Sequence, residues 1–345
     1  MALIPSALNT ERLAAWIAAS AAAEAAEIGR SELLGGGAIQ ENWALDIALV
    51  GGPRAGRHEL VLRTSSPSGV SVSWDRMEEF AILRVAHAAG VTVPEPWVAC
   101  ADTAVIGRPF YLMARLAGEA RGNRLVRDPQ VLARSDALAS RLGGELARLH
   151  RVVPPVAGLD FMPIPAGSPA AGRIAEYRRH LAALDAAEPV LEWALSWLEQ
   201  RAPEAGRICL VHGDFRTGNY LVDGGELSGI LDWEFAAFGD PLEDLGWMLA
   251  RYWRFGAYGR EAGGIGAREA WLAGYEAESG HPVERRLVPF WEVMATVRWA
   301  VIAMQQAERH HSGAEPALEL ALTAHVLPQL ELDLLTRIAE IEAGR

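Results

Sequence analysis

Residues Leu210–Asp244 read LVHGDFRTGNYLVDGGELSGILDWEFAAFGDPLED. Within this stretch, Asp223–Glu226 (DGGE) stands between two apolar runs and predicts a β-hairpin whose turn residues are the two glycines. With that turn, the Asp and the Glu of the DGGE segment face each other across the hairpin. The same register sets Asn219 opposite Ile230, and it decides which polar side chains of the stretch come together.

Three polar residues of this stretch are predicted to lie near one another: Asp214, Asn219 and Asp232. Asp232 is two positions beyond Ile230, and side chains two apart share a face of a strand, so Asn219 and Asp232 become diagonal neighbours roughly 7–8 Å apart. Two oxygen ligands at that spacing can reach one hard cation, and a set without clustered His or Cys favours magnesium over zinc or iron. Asp214 heads the loop, where a carboxylate could accept a proton from a hydroxyl that attacks a metal-held phosphate.

The basic residues of the chain are all arginines: the sequence has 32 basic residues and no lysine. A Walker A loop needs its lysine on the phosphates, and Schiff-base chemistry needs a lysine amine, so both classes are excluded. Any anion held by a basic side chain is therefore held by a guanidinium. A genome-wide codon bias towards Arg, Ala and Gly would account for the missing lysines. The exclusion of P-loop and Schiff-base chemistry holds whatever the cause.

Composition also limits the partners and the compartment. The formal net charge of −12 argues against nucleic acid or an anionic membrane as the main partner. No apolar run reaches the roughly 18 residues of a membrane span, and the beginning of the sequence lacks the pattern of a signal peptide. Cys100 and Cys209 are too few for a disulfide scaffold or a thiolate zinc site. We expect a cytoplasmic protein that binds small molecules, without nucleic acid or membrane; the oligomeric state stays open.

Hydrophobic periodicity predicts a β-rich first part of the chain. Helices are expected over residues 10–28 and 74–89. Strands are expected around Ser31–Leu34, Trp43–Val50, Glu59–Thr64, Trp97–Ala101 and Arg108–Leu116. Residues 1–116 would then form a small, mainly antiparallel sheet with one inserted helix.

The rest of the chain is predominantly helical in pattern. Helices are expected at 128–150, 169–185 and 188–201, and again after the central stretch, with a proline-rich loop around 154–165. Residues 117–345 would form the larger, helical lobe, which carries Asp214, Asn219 and Asp232. The predicted fold class is therefore α+β, with a small sheet lobe followed by a helical lobe.

An Asp, four intervening residues and an Asn, followed by a second Asp, is also the arrangement of the protein-kinase catalytic loop and its magnesium ligands. HGDFRTGN followed by LDWE and GDPLEDL resembles the aminoglycoside phosphotransferase and choline kinase superfamily, which shares the bilobal protein-kinase fold. Within it, the sequence is most similar to phosphotransferases found beside or fused to acyl-CoA dehydrogenases. The resemblance covers approximately residues 30–310.

This resemblance implies roles for the polar residues of the central stretch. Asp214 would be the catalytic base, with His212 supporting the loop. Asn219 and Asp232 would hold Mg²⁺. The segment Asp240–Asp244 begins with an Asp followed by a Pro and a Glu, the pattern of a capped helix start, so both of its aspartates are predicted to be structural.

The resemblance also implies a nucleotide site in the first lobe. Gly36 and Gly37 occupy the place of the loop that covers the phosphates, although the full G-x-G-x-x-G spacing is missing. Arg63 occupies the position where protein kinases have lysine. Glu79, on the following helix, would be the ion-pair partner of Arg63.

The segment Met113–Gly118 resembles the kinase hinge, where the backbone of Ala114 and Leu116 would bind adenine. Taken together, the resemblance implies an ATP-dependent phosphotransferase that moves the γ-phosphate to a hydroxyl of a small molecule, with Mg²⁺ and ATP bound. Two other classes stay open: a catalytically silent nucleotide-binding protein of kinase fold, and a metal hydrolase that uses His212 and Asp214.

The acceptor pocket is expected in the helical lobe, in the segments after Pro165 and after Trp247. These segments are aromatic and arginine-rich, and they contain Tyr177, Trp247, Tyr252, Trp253, Phe255, Tyr258, Trp291, Trp299, Arg251, Arg254 and Arg298. Such a lining suits an apolar acceptor with an anionic group, and the subfamily resemblance points the same way, to a hydroxyacyl compound. An aminoglycoside or another amino-sugar is the alternative acceptor. Ordinary helix packing would explain the same aromatic residues without a ligand.

Overall fold

The computed structural model describes residues 8–34, 40–65, 73–184, 188–204, 206–313 and 317–344. Contacts group the chain into two compact units. The first unit is Met1–Ala88 with Val93–Ala117, and the second is Ala89–Thr92 with Gly118–Arg345. Gly36 and Gly37, the predicted phosphate-loop residues, lie outside the described residues.

The first unit is built on an antiparallel sheet. Its strands are β1 (Ala25–Leu34), β2 (Gln40–Val50), β3 (Gly56–Ser65), β4 (Pro96–Cys100) and β5 (Phe110–Ala114), and its helices are α1 (Thr10–Ser20) and α2 (Arg76–Ala88). The strands are ordered β1-β2-β3-β5-β4, so β3 lies at the centre. Alternate residues of β2 and β3 are buried against α1, where Leu13 and Ile17 complete an apolar cluster. This sheet positions Arg63 near the end of β3.

The first predicted helix is too long. The prediction ran from residue 10 to 28, whereas α1 ends at Ser20 and β1 begins at Ala25. Ala22 has a φ of +51°, which a continuing helix does not allow. The alanine-rich run lacks the hydrophobic periodicity that would distinguish a helix from a strand in the sequence. The residues after Ala22 form a strand because Ala25 pairs with Val50 of β2.

The second unit is mainly helical. Its helices are α3 (Gly122–Leu125), α4 (Pro129–Ala133), α5 (Ser135–Leu149), α6 (Pro169–Ala183), α7 (Pro189–Arg201), α8 (Pro241–Leu249), α9 (Arg268–Ser279), α10 (Val288–His311), α11 (Leu318–Thr323) and α12 (Leu327–Glu342). Short 3₁₀ turns occupy Arg251–Arg254 and Ala324–Val326. Two small antiparallel pairs interrupt the helices: β6 (Cys209–Val211) with β9 (Ala237–Gly239), and β7 (Tyr220–Asp223) with β8 (Glu226–Ile230).

The core of the second unit surrounds α10. One face of this helix packs against α6, α7 and α12 through residues such as Trp291, Val297 and Leu334. Helix α8 packs against α10 so closely that a Cβ at Gly246 would lie 2.6 Å from the side chain of Trp291. Among the residues that the structure describes, no helix has the length and apolar character needed to cross a membrane.

Candidate active site

The hairpin that carries Asn219 forms as predicted, but its register differs. Asp223 pairs with Glu226, as the DGGE turn requires. A bulge in β8 then shifts the pairing, so that Tyr220, not Asn219, lies opposite Ile230. Asn219 instead accepts a backbone hydrogen bond from Leu231 at 2.8 Å. The predicted pairing of Asn219 with Ile230 is therefore wrong by one residue, because a bulge leaves one residue of a strand without a partner.

Asp232 lies just beyond the end of β8, and its backbone has a φ of +62°. Few residues other than glycine adopt this left-handed conformation, and Asp is among those that tolerate it. The argument from alternating strand faces consequently does not apply to Asp232, since the chain has left the extended conformation. Such backbone strain is concentrated at functional sites in proteins.

The carboxylate of Asp214 is held by three donors. Trp247 Nε1 donates to Oδ1 at 2.8 Å, and Asn219 Nδ2 donates to Oδ2 at 2.6 Å. Arg216 Nε donates to Oδ1 at 3.2 Å. The side chain of Asp214 keeps 14% exposure. The carboxylate is thus oriented by fixed groups and still reaches solvent.

Both ring nitrogens of His212 are used within the loop. Nε2 lies 2.8 Å from the carbonyl of Leu231, and Nδ1 accepts the N–H of Asp214 at 3.2 Å. A neutral imidazole with its proton on Nε2 satisfies both contacts. His212 is fully buried and packs against Trp233, with ring centroids 4.6 Å apart. These contacts suit support of the loop better than proton transfer.

Asp244 ties the loop that carries Asp214 to helix α8. Its carboxylate accepts the backbone N–H groups of His212 at 2.7 Å and Gly213 at 2.9 Å, and it lies 3.2 Å from His150 Nε2. Complete burial pushes the pKa of Asp244 upwards, but the hydrogen bonds and charge interactions with His150 and His212 together outweigh it, and the pKa is lowered overall. Tyr275 supports His150 in turn, with the hydroxyl 3.1 Å from Nδ1.

Local geometry explains the glycine before Asp214 and the structural aspartates. Gly213 has a φ of +76°, and a Cβ there would lie 2.1 Å from the carbonyl oxygen of Phe235. Asp240 caps α8 by accepting the N–H of Leu242 at 2.8 Å. The predicted structural role of Asp240 is confirmed, and that of Asp244 is confirmed through the contacts above.

In the first unit, Arg63 and Glu79 form the predicted ion pair. Arg63 Nη2 lies 2.9 Å from Glu79 Oε1, and Arg63 Nε donates to Oε2 at 3.2 Å. A second guanidinium, that of Arg76, lies 2.6 Å from Glu79 Oε2. All three side chains are nearly completely buried. We call these residues the ionic triad; its two guanidinium groups share one carboxylate.

The predicted hinge begins with the last two residues of β5, Met113 and Ala114, and continues beyond the strand. The N–H of Ala114 donates to the carbonyl of Glu95 at 2.9 Å, so only the carbonyl of Ala114 could face a base. Leu116 lies outside the strand, and no backbone carbonyl among the described residues accepts its N–H. A carbonyl followed two residues later by an N–H is the pair of groups that an adenine edge requires.

The aromatic residues predicted for the acceptor pocket divide into three groups. Tyr177 and Trp291 are buried in the helical core, which is ordinary packing. Others line a pocket of about 270 Å³, whose walls are Arg251, Tyr252, Phe255, Gly256, Tyr258, Gln329 and Asp333. Trp247 and Trp253 are buried close to Asp214, with ring centroids 5.3 Å apart.

The three arginines of these segments are not available as open anion sites, because each has an acidic neighbour. Arg251 pairs with Asp333 at 3.2 Å, and Arg254 lies 3.6 Å from Glu261. Arg298 lies 3.5 Å from Glu243 and stacks over Trp247.

Comparison with known proteins gives these features a context. Residues 32–287 match the model of a family described as the phosphotransferase enzyme family, about three quarters of the chain. The chain belongs to this family. The mouse protein acyl-CoA dehydrogenase family member 10 is 31% identical over 217 residues, which is 58% of this chain and 19% of the mouse protein. Rat acyl-CoA dehydrogenase family member 11 is 26% identical over 80% of the chain and 37% of its own length. The chain thus spans well under half the length of these relatives.

Solved structures show the same fold. A candidate aminoglycoside phosphotransferase from Ralstonia eutropha superposes with a TM-score of 0.74 at 21% identity, covering 96% of this chain and 99% of that one. Aminoglycoside phosphotransferase APH(4)-Ia, bound to ADP and hygromycin B, gives 0.58 at 15% identity over 93% and 98%. The predicted protein-kinase-like fold and the predicted family are confirmed.

Sequence reasoning missed four contacts, one in the first unit and three in the second. The contact of Arg76 with Glu79 could have been predicted, because Arg76 precedes Glu79 by three residues on one helix. Arg216 was readable in part, since it follows Asp214 by two positions in the same loop. The bonds from Trp247 to Asp214 and from His150 to Asp244 join distant segments, and nothing in the local pattern indicates them.

Proposed function

We propose that this phosphotransferase moves the γ-phosphate of ATP to a hydroxyl group of a small molecule. The observation that supports the proposal most directly is how the carboxylate of Asp214 is held. It is fixed by Trp247 and Asn219, partly exposed, and placed on a loop anchored by Asp244. A base held in one orientation and still reached by solvent is what proton removal from an alcohol needs.

In the proposed reaction, Asp214 accepts the proton of the acceptor hydroxyl as its oxygen attacks the γ-phosphorus. The new oxygen–phosphorus bond forms while the bond from the γ-phosphorus to the bridging oxygen breaks, and ADP leaves. Positioning and charge stabilisation supply most of the rate in such transfers. His212 keeps the loop in shape and takes no proton, because both of its nitrogens are engaged.

Asn219 and Asp232 are the residues that we propose for Mg²⁺. The amide nitrogen of Asn219 is taken by Asp214, which leaves the amide oxygen for a cation. Together with the carboxylate of Asp232, the donor set consists of oxygens only, as magnesium prefers. When bound, the ion neutralises charge on the β- and γ-phosphates. A zinc-type hydrolase has less support, since no group of three or more His, Cys, Asp or Glu residues suited to a metal occurs in the described residues.

For the nucleotide we propose two contact regions in the first unit. The Arg63 guanidinium would lie against the phosphates, oriented by Glu79 as lysine is by glutamate in protein kinases. The carbonyl of Ala114 and the N–H of Leu116 would bind the adenine edge.

The proposed acceptor is a hydroxyacyl compound. Its support is the likeness to proteins named as acyl-CoA dehydrogenase family members, and the aromatic pocket beside Tyr252 and Tyr258. The acidic partners of Arg251, Arg254 and Arg298 remove the argument that these arginines attract an anion. An aminoglycoside is the second candidate, because a solved structure of this fold holds hygromycin B. Two buried, unpaired cysteines suit the reducing cytoplasm that we propose as the compartment.

The experiment combines a screen with one variant. The purified protein is incubated with MgATP and equal concentrations of hydroxyacyl-CoA compounds, choline and aminoglycosides. Mass spectrometry then identifies any phosphorylated product. A parallel reaction contains a metal chelator. Asp214→Asn should lower turnover about 10²–10⁴-fold with nucleotide binding retained. Asp223→Asn, in the exposed hairpin turn, is the matched control and should turn over normally. Nucleotide binding without turnover on any acceptor would favour the silent protein, and normal turnover of Asp214→Asn would exclude Asp214 as the base.

A further inference from the structure

Arg216 occupies an unusual place beside Asp214. Its Nε donates to Asp214 Oδ1, and its Nη1 donates to the carbonyl of Thr217 at 3.3 Å. The guanidinium carbon lies 4.4 Å from the ring centroid of Trp253. The side chain of Arg216 retains 25% exposure and that of Asp214 retains 14%, so solvent reaches both side chains in part.

The loop is shaped around this guanidinium. Gly218 has a φ of +115°, and a Cβ there would lie 2.7 Å from Arg216 Nη1. The platform beneath it is rigid, because Trp253 is buried and packs against Trp247 and Trp299. Surface arginines usually sample many rotamers, whereas the backbone and the indole ring specify this one.

Orientation of Asp214 does not require Arg216. The N–H groups of Trp247 and Asn219 already hold one carboxylate oxygen each. A guanidinium adds what neutral donors lack: a positive charge that persists at every working pH, and several N–H groups in a planar fork that matches phosphate oxygens.

We propose that Arg216 is a catalytic residue that binds the phosphoryl group during transfer; this rests on the function proposed above. A hydroxyl bound by Asp214 lies about 2.6–3.2 Å from the carboxylate, and the phosphorus that it attacks lies about 3–3.5 Å further. The guanidinium is 3.2 Å from the same carboxylate, so its free N–H groups come within reach of the equatorial phosphoryl oxygens. Arg216 keeps its proton throughout; the acceptor proton passes to Asp214, and ADP leaves as the new oxygen–phosphorus bond forms.

The test separates binding from turnover. We expect Arg216→Gln to lower kcat for ADP formation by about 10²–10³-fold, measured with the acceptor found in the screen or with water, while the Kd of MgADP stays within about twofold. Arg216→Lys should recover part of the loss, because it restores the charge without the fork. In Arg216→Ala, millimolar guanidinium should raise kcat, a rescue that a merely structural role does not predict. Arg286→Gln is the matched control, since Arg286 is 81% exposed.

Several outcomes would overturn the proposal. The first is a kcat of Arg216→Gln within about threefold of wild type. The second is an equal loss of kcat in the Gln and Lys variants, without rescue of Arg216→Ala by guanidinium. The third is a loss of MgADP affinity in Arg216→Gln as large as its loss of kcat. Thermal melting of each variant checks the fold, and if Arg216→Gln unfolds, the Lys variant and the rescue decide. Wild-type protein that binds no nucleotide would instead overturn the proposed function itself.

Discussion

The ionic triad of the first unit and the Asp214 cluster of the second unit (Asp214, Asp244 and the groups that donate to them) are both networks of polar groups, but they are built differently. The triad consists of side chains alone, with two guanidinium groups on one carboxylate and all three nearly inaccessible. The Asp214 cluster combines neutral side-chain donors and backbone N–H groups with one guanidinium, that of Arg216. The ionic triad therefore depends on charge balance alone, and the Asp214 cluster mainly on hydrogen-bond geometry.

The difference indicates where mutations should act. Removing one member of a buried ionic group leaves an uncompensated charge, which is strongly destabilising. Removing a hydrogen-bond partner costs less in stability, but it misplaces the reacting group by distances that matter for catalysis. Three substitutions can separate these effects.

The largest effect on stability should come from Glu79→Gln. The variant leaves the guanidinium groups of Arg63 and Arg76 without the carboxylate that they share, and we expect a loss of about 3–5 kcal/mol in the free energy of unfolding. Urea unfolding is the measurement. Glu78→Gln is the control, because Glu78 makes the same charge change one residue away and only accepts the N–H of Asp75. Similar losses in both variants would contradict the role of the triad in stability.

Asp244→Asn should have a smaller effect on stability and a large effect on activity. An amide offers one acceptor oxygen where the carboxylate gave two, so either His212 or Gly213 loses its partner. We expect a loss of about 2–3 kcal/mol in stability and a fall in kcat, with nucleotide affinity unchanged. Steady-state kinetics together with thermal melting measure the two effects. Unchanged kcat would mean that the loop holds Asp214 without this anchor.

The smallest effect should come from Asp240→Asn and should depend on pH. Burial raises the pKa of Asp240 to about 6 from an ordinary 3.8, so between these values the folded state binds a proton that the unfolded state has released. Stability from this group is therefore present at low pH and falls as the pH rises through that window.

Replacement by Asn, itself a good cap, should remove about 2 kcal/mol of pH-dependent stability change between pH 4 and 6. Melting temperatures across this range provide the test. Asp128→Asn changes a half-buried cap of α4 and serves as the control. Parallel pH curves for wild type and Asp240→Asn would show that burial does not perturb this carboxyl.

Prediction from sequence succeeded where the deciding interactions are local. A few neighbouring residues determine each of three correctly predicted features: the DGGE turn, the cap at Asp240 and the helix with Glu79. The ion pair of Arg63 with Glu79 was reached through the family resemblance, since no local pattern joins a strand to the next helix. Roles in chemistry remain predictions for Asp214, Asn219 and Asp232.

Prediction failed where a longer-range or backbone effect decides. The bulge in β8 adds one residue that no hydrophobic alternation reveals, and the left-handed φ of Asp232 follows from the chain beyond the hairpin. The early end of α1 depends on β2, which is remote in sequence from Ala22. Arg251 looked like an anion binder because its acidic partner, Asp333, comes from a distant segment.

A guanidinium at residue 63 also affects how the protein can be regulated and labelled. A kinase lysine at this position can lose its charge by acetylation, whereas arginine offers no such switch and keeps its charge at any physiological pH. If Arg63 contacts phosphate as proposed, reagents that acylate the nucleotide-site lysine of protein kinases will not mark this chain, which has no lysine at all. Surveys of kinases by such reagents would pass over this chain, and an arginine-directed reagent would be needed to detect it.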